Sequence, residues 1–183
     1  MILGLDISTS ITGVTIISED NEILLNGAWD LRKYKNFFDK ASFVSNKIKE
    51  LSKDSRFNIH NIFIEQSLQS FRSGFSSAKT LSTLSRFNGV VSWMVYEEYN
   101  IEPQYLAATS ARKLCGIKVP KGIKAKQFVM NYLIENEPNF VIEYTKFGNP
   151  KPEYYDRADS LVIARAGLEE IRNNKNDFNV VCT

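Results

Sequence analysis

Four acidic residues sit where folding alone gives them little reason to be. Asp6 ends the apolar run ILGLDI at 2–7, apart from one isoleucine, and Glu65 ends a second run whose core is IFIE. Asp156 and Asp159 lie three residues apart in a stretch of helical spacing, which puts both on one face. Carboxylates crowded at adjoining strand ends repel one another and raise each other's pKa. Bound divalent cations remove that cost, and an oxygen-only donor set suits Mg²⁺, with Mn²⁺ able to replace it. Two such ions about 3.5–4 Å apart would clamp an in-line phosphodiester displacement, one activating water and the other stabilising the leaving oxygen. Each acid also has an ordinary role open to it. Asp6 can start a turn, Glu65 can mark a strand's exit into solvent, Asp156 can cap a helix, and Asp159 can pair with Arg157 or Arg165. Singly those roles are preferred; the four together favour a metal centre.

The elements that must position these acids follow from hydrophobic period and turn signals. Residues 2–7, 11–17 (ITGVTII) and 22–31 (EILLNGAWDL) read as three strands joined by tight turns, an antiparallel meander. From Asn36 to Lys53, Phe37, Ala41, Val44, Ile48 and Leu51 recur every three or four residues, an amphipathic helix with a lysine-rich outer face. A compact strand at 59–65 follows, then a Ser- and Gln-rich loop at 66–77 and a helix at 78–99 carrying Leu81, Leu84, Asn88, Val91 and Val95 along one line. A fifth strand at 101–107 leads to a short helix at 109–114, a basic turn at 118–122 and a helix at 124–135. Residues 145–152 read as a loop, and the last helix runs from Glu153 towards Arg172, with the tail from about 173 frayed or lightly docked. No repeat or linker interrupts the order, so 1–183 is expected to be one α/β domain with a mixed sheet.

Three segments resemble one family. LGLDISTSITGVTII is similar to the first strand pair of RuvC-type Holliday junction resolvases, members of the RNase H-like superfamily; FIEQ resembles their second acidic strand, and YYDRADSLVIARAG their terminal acidic helix. The motifs occur in the family's order between Met1 and Gly167. The resemblance implies an RNase H-like fold, a mixed five-stranded sheet flanked by helices. It implies a metal-dependent crossover junction endodeoxyribonuclease acting as a homodimer on four-way or other branched DNA, with two Mg²⁺ ions held by Asp6, Glu65, Asp156 and Asp159. In the family, the loop after the second acid places an aromatic residue at the branch point. Here Leu68 holds the nearest matching position, and Phe71, Arg72 and Phe75 follow on the same loop. The next helix pairs subunits in the family, a seam for which Leu81, Leu84, Val91 and Val95 are available. Family lysines near the scissile phosphate point to Lys126 and Lys124. The short, Lys- and Asn-rich chain suits a low-GC bacterium or its phage.

Charge distribution agrees with a polyanionic partner. Net charge is only +2, yet between Pro103 and Ile134 there is no acidic residue against Arg112, Lys113, Lys118, Lys121, Lys124 and Lys126. Removing those six leaves 17 basic and 21 acidic residues, a net of −4. An uneven solvated surface reads the same way, so charge alone leaves both open. Other chemistries find little support. His60 is the only histidine and has no ligand partner, no P-loop is present, Ser8, Thr9 and Ser10 have no nearby base, and Trp29 and Trp93 fall on apolar runs expected in the core. A sugar kinase or actin-like ATPase would begin with a similar strand, but Asp6-Ile7-Ser8-Thr9 lacks its glycine and the chain is too short for two lobes. A non-catalytic junction-binding relative is the third reading. Two cysteines without a CxxC, no leader-like N-terminus and no bilayer-length apolar run point to the cytoplasm of a bacterium or phage-infected host.

Overall fold

The computed structural model describes residues 1–67 and 78–181, with side chains through residue 175. The chain opens with β1 (Ile2–Asp6), β2 (Ile11–Ile17) and β3 (Ile23–Asp30), which pair antiparallel as the expected meander. Next come α1 (Phe37–Ser52), β4 (Asn61–Glu65), α2 (Ala78–Tyr99) and β5 (Gln104–Leu106). The Asn36 side chain caps α1 by accepting from the Asp39 N–H. β4 lies parallel to β1 and β5 parallel to β4, giving one mixed sheet in the order β3-β2-β1-β4-β5. Helices α3 (Ala108–Leu114), α4 (Ala125–Asn136) and α5 (Glu153–Val181) complete the fold.

Two elements differ from the sequence expectation. β5 pairs only over Gln104–Leu106, because Pro103 brings no N–H to the ladder at this edge. α5 continues past Arg172 to Val181, since no Gly or Pro follows Gly167 to stop it.

Side-chain alternation divides the core into two. Leu3, Leu5, Val14, Ile16, Ile62 and Ile64 face α1 and α2, where Val44, Ile48, Phe87, Val91 and Val95 cover them. Ile2, Ile17 and Phe63 face the other way, under α3, α4 and α5. Val91 and Val95 are therefore buried against the sheet and cannot form a seam between subunits. Trp93 lies two residues from Val91, about 200° around the helix, and is 59% exposed rather than in the core. Trp29 packs on the α1–α2 side as expected. Among the described residues no helix is long and apolar enough to cross a membrane.

α5 lies directly on the sheet, and small residues make that possible: a Cβ at Gly4 would sit 2.6 Å from the Ala164 backbone nitrogen. A Cβ at Gly13 would sit 1.9 Å from the Asp156 carbonyl oxygen, so any side chain there forces the first turn of α5 off the sheet. Gly27 on β3 is a fair control, with its nearest neighbour 4.0 Å from the would-be Cβ. Gly13→Ala should cost at least about 2 kcal/mol by overpacking. Gly27→Ala should stay within about 1 kcal/mol of wild type. Urea unfolding of the two variants side by side checks this; equal stabilities would show that α5 does not need the close approach.

Candidate metal centre

Strand parity and register bring the first two acids together. On β1 the residues Ile2, Gly4 and Asp6 share one face, and on β4 Asn61, Phe63 and Glu65 do the same. β1 and β4 run parallel with Gly4 opposite Phe63 and Leu5 opposite Ile64, so Asp6 and Glu65 emerge side by side at the same end of the sheet. That face is the one α5 covers. Asp6 is also opposite Gly13, the residue over which the Asp156 backbone rests, so helix and strand contribute acids to one spot.

The result is a tight acidic group. Asp6, Glu65 and Asp159 each place one carboxylate oxygen within 4.8 Å of the others. Asp6 Oδ2 is buried and accepts no hydrogen bond. Asp156 stands at the edge of the trio, its Oδ1 3.5 Å from the Lys126 ammonium. That ammonium also lies 3.0 Å from Asp159 and 3.8 Å from Asp6, although the Lys126 side chain is 58% exposed. A partly exposed cation thus reaches in over the acids from the solvent side. Burial, then the charge of Glu65, raises the Asp6 pKa well above the usual carboxylate range, with Lys126 opposing. Burial and the charge of Asp159 push Glu65 up to about 7, while Lys126 and Arg112 pull it down. Burial raises Asp156 as well. For Lys126 burial works against the charge, but Asp6, Asp159 and Asp156 outweigh it and hold the proton on Nζ.

A buried carboxylate oxygen without a donor, amid carboxylates whose pKa values burial and mutual repulsion have raised, is what a divalent cation site requires. Asp6, Glu65 and Asp159 would hold the ion, with Asp156 at the rim. When bound, such an ion neutralises the acids and lends Lewis acidity to a phosphodiester.

A polar network that sequence reasoning missed holds α5 in place. Asn26 on β3 donates to Thr15 Oγ1 (2.7 Å) and to the Arg157 carbonyl (3.0 Å), and its Oδ1 accepts from Arg157 Nε (2.9 Å). Thr15 and Ser160 share a buried hydroxyl contact of 2.8 Å. The network therefore clamps the turn of α5 between its two aspartates. On the other side of the sheet, Asn88 of α2 donates to the Glu65 carbonyl at 3.2 Å. The signal was a polar residue at 88 in an otherwise apolar stripe; Asn26 gave none, because its partners are remote in sequence.

The remaining predicted residues divide. Arg112 is half-buried on α3 and its charge reaches Glu65, whereas Lys113, Lys118 and Lys121 are exposed beyond it. Lys124 precedes α4 as an exposed residue and joins none of the described ion pairs, so only Lys126 of the two lysines meets the acids. Leu68, Phe71, Arg72 and Phe75 lie outside the described residues.

This sheet order, with the acid-bearing terminal helix laid across one face, is an RNase H-like fold. Two solved resolvases share it. Thermus thermophilus RuvC in complex with a Holliday junction substrate is similar over 93% of this chain and 94% of its own, with a TM-score of 0.63 and 14% identity. The yeast mitochondrial Holliday junction resolvase Ydc2 is similar over 97% of this chain and 83% of its own, with a TM-score of 0.55 and 19% identity. No protein-family profile and no curated protein sequence matches the chain.

The raised carboxylates carry a stability consequence. Glu65 takes up its proton near pH 7 when folded but near its ordinary 4.5 when unfolded. Its contribution to metal-free stability is thus complete below about 4.5 and lost as pH rises through about 7. In EDTA, the urea midpoint should fall between about pH 5 and about pH 8, and Glu65→Gln should flatten that fall. Millimolar Mg²⁺ at the higher pH should restore wild-type stability by binding only the folded chain. A midpoint independent of both pH and Mg²⁺ would argue against a cation site.

Proposed function

We propose that the protein is a metal-dependent, structure-specific endodeoxyribonuclease that nicks four-way or other branched DNA as a homodimer. The convergence of Asp6, Glu65 and Asp159 on one point, with Asp156 and Lys126 beside them, carries the reading. The fold shared with RuvC in complex with a Holliday junction substrate supplies the substrate class. Asp6, Glu65 and Asp159 would bind Mg²⁺, with Mn²⁺ as substitute, and Asp156 would complete the acidic donor set at its rim. Lys126 holds a proton within reach of the acids and is placed to offset phosphate charge or protonate the leaving oxygen. Arg112, Lys113, Lys118 and Lys121 steer and position the phosphate backbone.

The kinase-like alternative fares worse. Its phosphate cradle would occupy the β1–β2 turn, but here Ser8 Oγ closes that turn on itself, donating to the Ile11 carbonyl at 2.7 Å and accepting from the Ser10 and Ile11 N–H groups. No donors are left facing a ligand from those two amides.

Asp6→Asn tests the centre because it keeps the shape and removes the charge. Cleavage of a labelled four-way junction in Mg²⁺ should fall by several orders of magnitude, while junction binding survives or tightens. Near-wild-type nicking would remove the catalytic assignment of all four acids. Linear duplex and EDTA serve as controls.

The homodimer has a second, separate check. With Val91 and Val95 turned to the sheet, the outer face of α2 offers exposed Trp93 and Tyr96 instead. Trp93→Glu should convert a sedimenting dimer to a monomer, through the cost of burying a charge. A strict monomer both free and on junction DNA would rule out symmetric resolution.

A further inference from the structure

Between α4 and α5 the chain builds a small hairpin that the acidic centre does not use. Tyr144 and Pro150 bridge across it, the Thr145 N–H donates to the Asn149 carbonyl (2.7 Å), and the Lys151 N–H donates to the Glu143 carbonyl (3.1 Å). A Lys151–Glu143 ion pair ties the same two strands. The tip is Lys146-Phe147-Gly148. Gly148 donates back to the Thr145 carbonyl at 3.0 Å and takes a φ of 76°, the left-handed residue that closes a three-residue hairpin loop.

What that turn displays has no structural purpose. A polar residue serves equally well before the glycine of such a turn. Here the position holds Phe147, 78% exposed, with Tyr144 55% exposed one turn away. Lys146 Nζ lies 4.9 Å from the Phe147 ring centroid and, unlike Lys151, joins no ion pair among the described residues. An exposed ring whose one face carries an ammonium without a carboxylate partner among the described residues is a pairing suited to nucleic acid, with a base stacking on the other face and phosphate on the ammonium.

The hairpin is also tied to the acids. At its root, Phe140 is buried, and the Arg157 guanidinium lies 5.7 Å from the Phe140 ring and 4.5 Å from the Tyr154 ring. Arg157 stands between Asp156 and the Asn26 clamp, so hairpin and acids share one rigid mount. The hairpin's second strand runs into α5 through Lys151 and Pro152. Five residues of extended chain and four of helix separate Phe147 from Asp156, at most roughly 24 Å, or about seven base-pair steps.

We infer that the hairpin is a nucleobase-binding site: Phe147 stacks on an unpaired base within about seven base-pair steps of the cleaved phosphate, and Lys146 meets a phosphate beside that base. The site rests on the nuclease reading and deepens it, because it selects branched DNA with unpaired nucleotides within that reach of the cut.

The test measures binding of the full chain, in EDTA, to a four-way junction, a perfect duplex, a duplex with a short bulge, and the same bulge made abasic. Phe147→Ala should weaken junction and bulge binding roughly tenfold, with perfect duplex and abasic bulge changed by less than about twofold. Phe147→Tyr should bind like wild type, since the ring is kept, and Lys146→Ala should weaken binding less and flatten its salt dependence. The ring is exposed, so thermal melts should coincide. Equal losses on paired and unpaired DNA, or no loss at all, would overturn the site while leaving the nuclease reading intact. A loss of self-association without loss of DNA binding would overturn it too, assigning the hairpin to a protein contact. Failure of wild type to bind any branched substrate would instead count against the nuclease reading itself.

Discussion

Mutual repulsion among carboxylates gathered at one end of the sheet is the constraint around which this chain is organised. Water normally screens such charges, but Asp6 and Asp159 are buried and Glu65 is largely so, and the raised pKa values of Asp6 and Glu65 record the cost. The fold bears it in two ways. Lys126 reaches across from α4 with a cation on a partly exposed side chain, and a frame of backbone contacts keeps the acids from drifting apart. A relaxed arrangement would separate the carboxylates and lose any affinity for a divalent ion.

That frame explains why so much of the molecule is devoted to seating α5. The helix lies on β1 and β2, its first turn over Gly13 and its next held by Asn26, Thr15 and Ser160. Polar atoms in the network are mutually satisfied, which lets them fix orientation without leaving unpaired groups. Hydrophobic burial below α5, from Ala158, Leu161, Val162 and Ala164, supplies the adhesion; the hydrogen bonds supply the register. A one-residue slip of α5 would rotate Asp156 and Asp159 by about 100° and empty the centre.

Rigid scaffold and exposed loops divide the labour. The acidic centre comes from strand ends and a helix start, while the segments proposed to meet DNA project from them. Those are the basic connection between α3 and α4 and the hairpin before α5. Both projecting segments carry lysines without carboxylate partners among the described residues, Lys121 in one and Lys146 in the other.

Much of this was legible in the amino-acid sequence. Apolar runs marked the central strands, which are buried on both faces, and apolar period marked the long helices α1 and α2, which bury one face. The positions of Asp6 and Glu65 stood out because a carboxylate at the end of a buried strand is costly without a use. The Asp156–Asp159 spacing declared a shared face, since three residues is nearly one helical turn. Other features lay beyond it. That Lys126 rather than Lys124 meets the acids depends on which side of α4 faces α5, a choice set by packing of Val129, Met130 and Leu133. Asn26, 131 residues from its partner Arg157, carried no local mark. The exposure of Trp93 and the burial of Val91 and Val95 followed from how α2 lies on the sheet, which an apolar line shared by both faces could not decide. Local chemistry and periodicity are properties of the chain, and the sequence determines them directly. Which side chains meet across the fold is settled only when the elements pack, because long-range contact energies depend on positions that no short stretch of sequence contains.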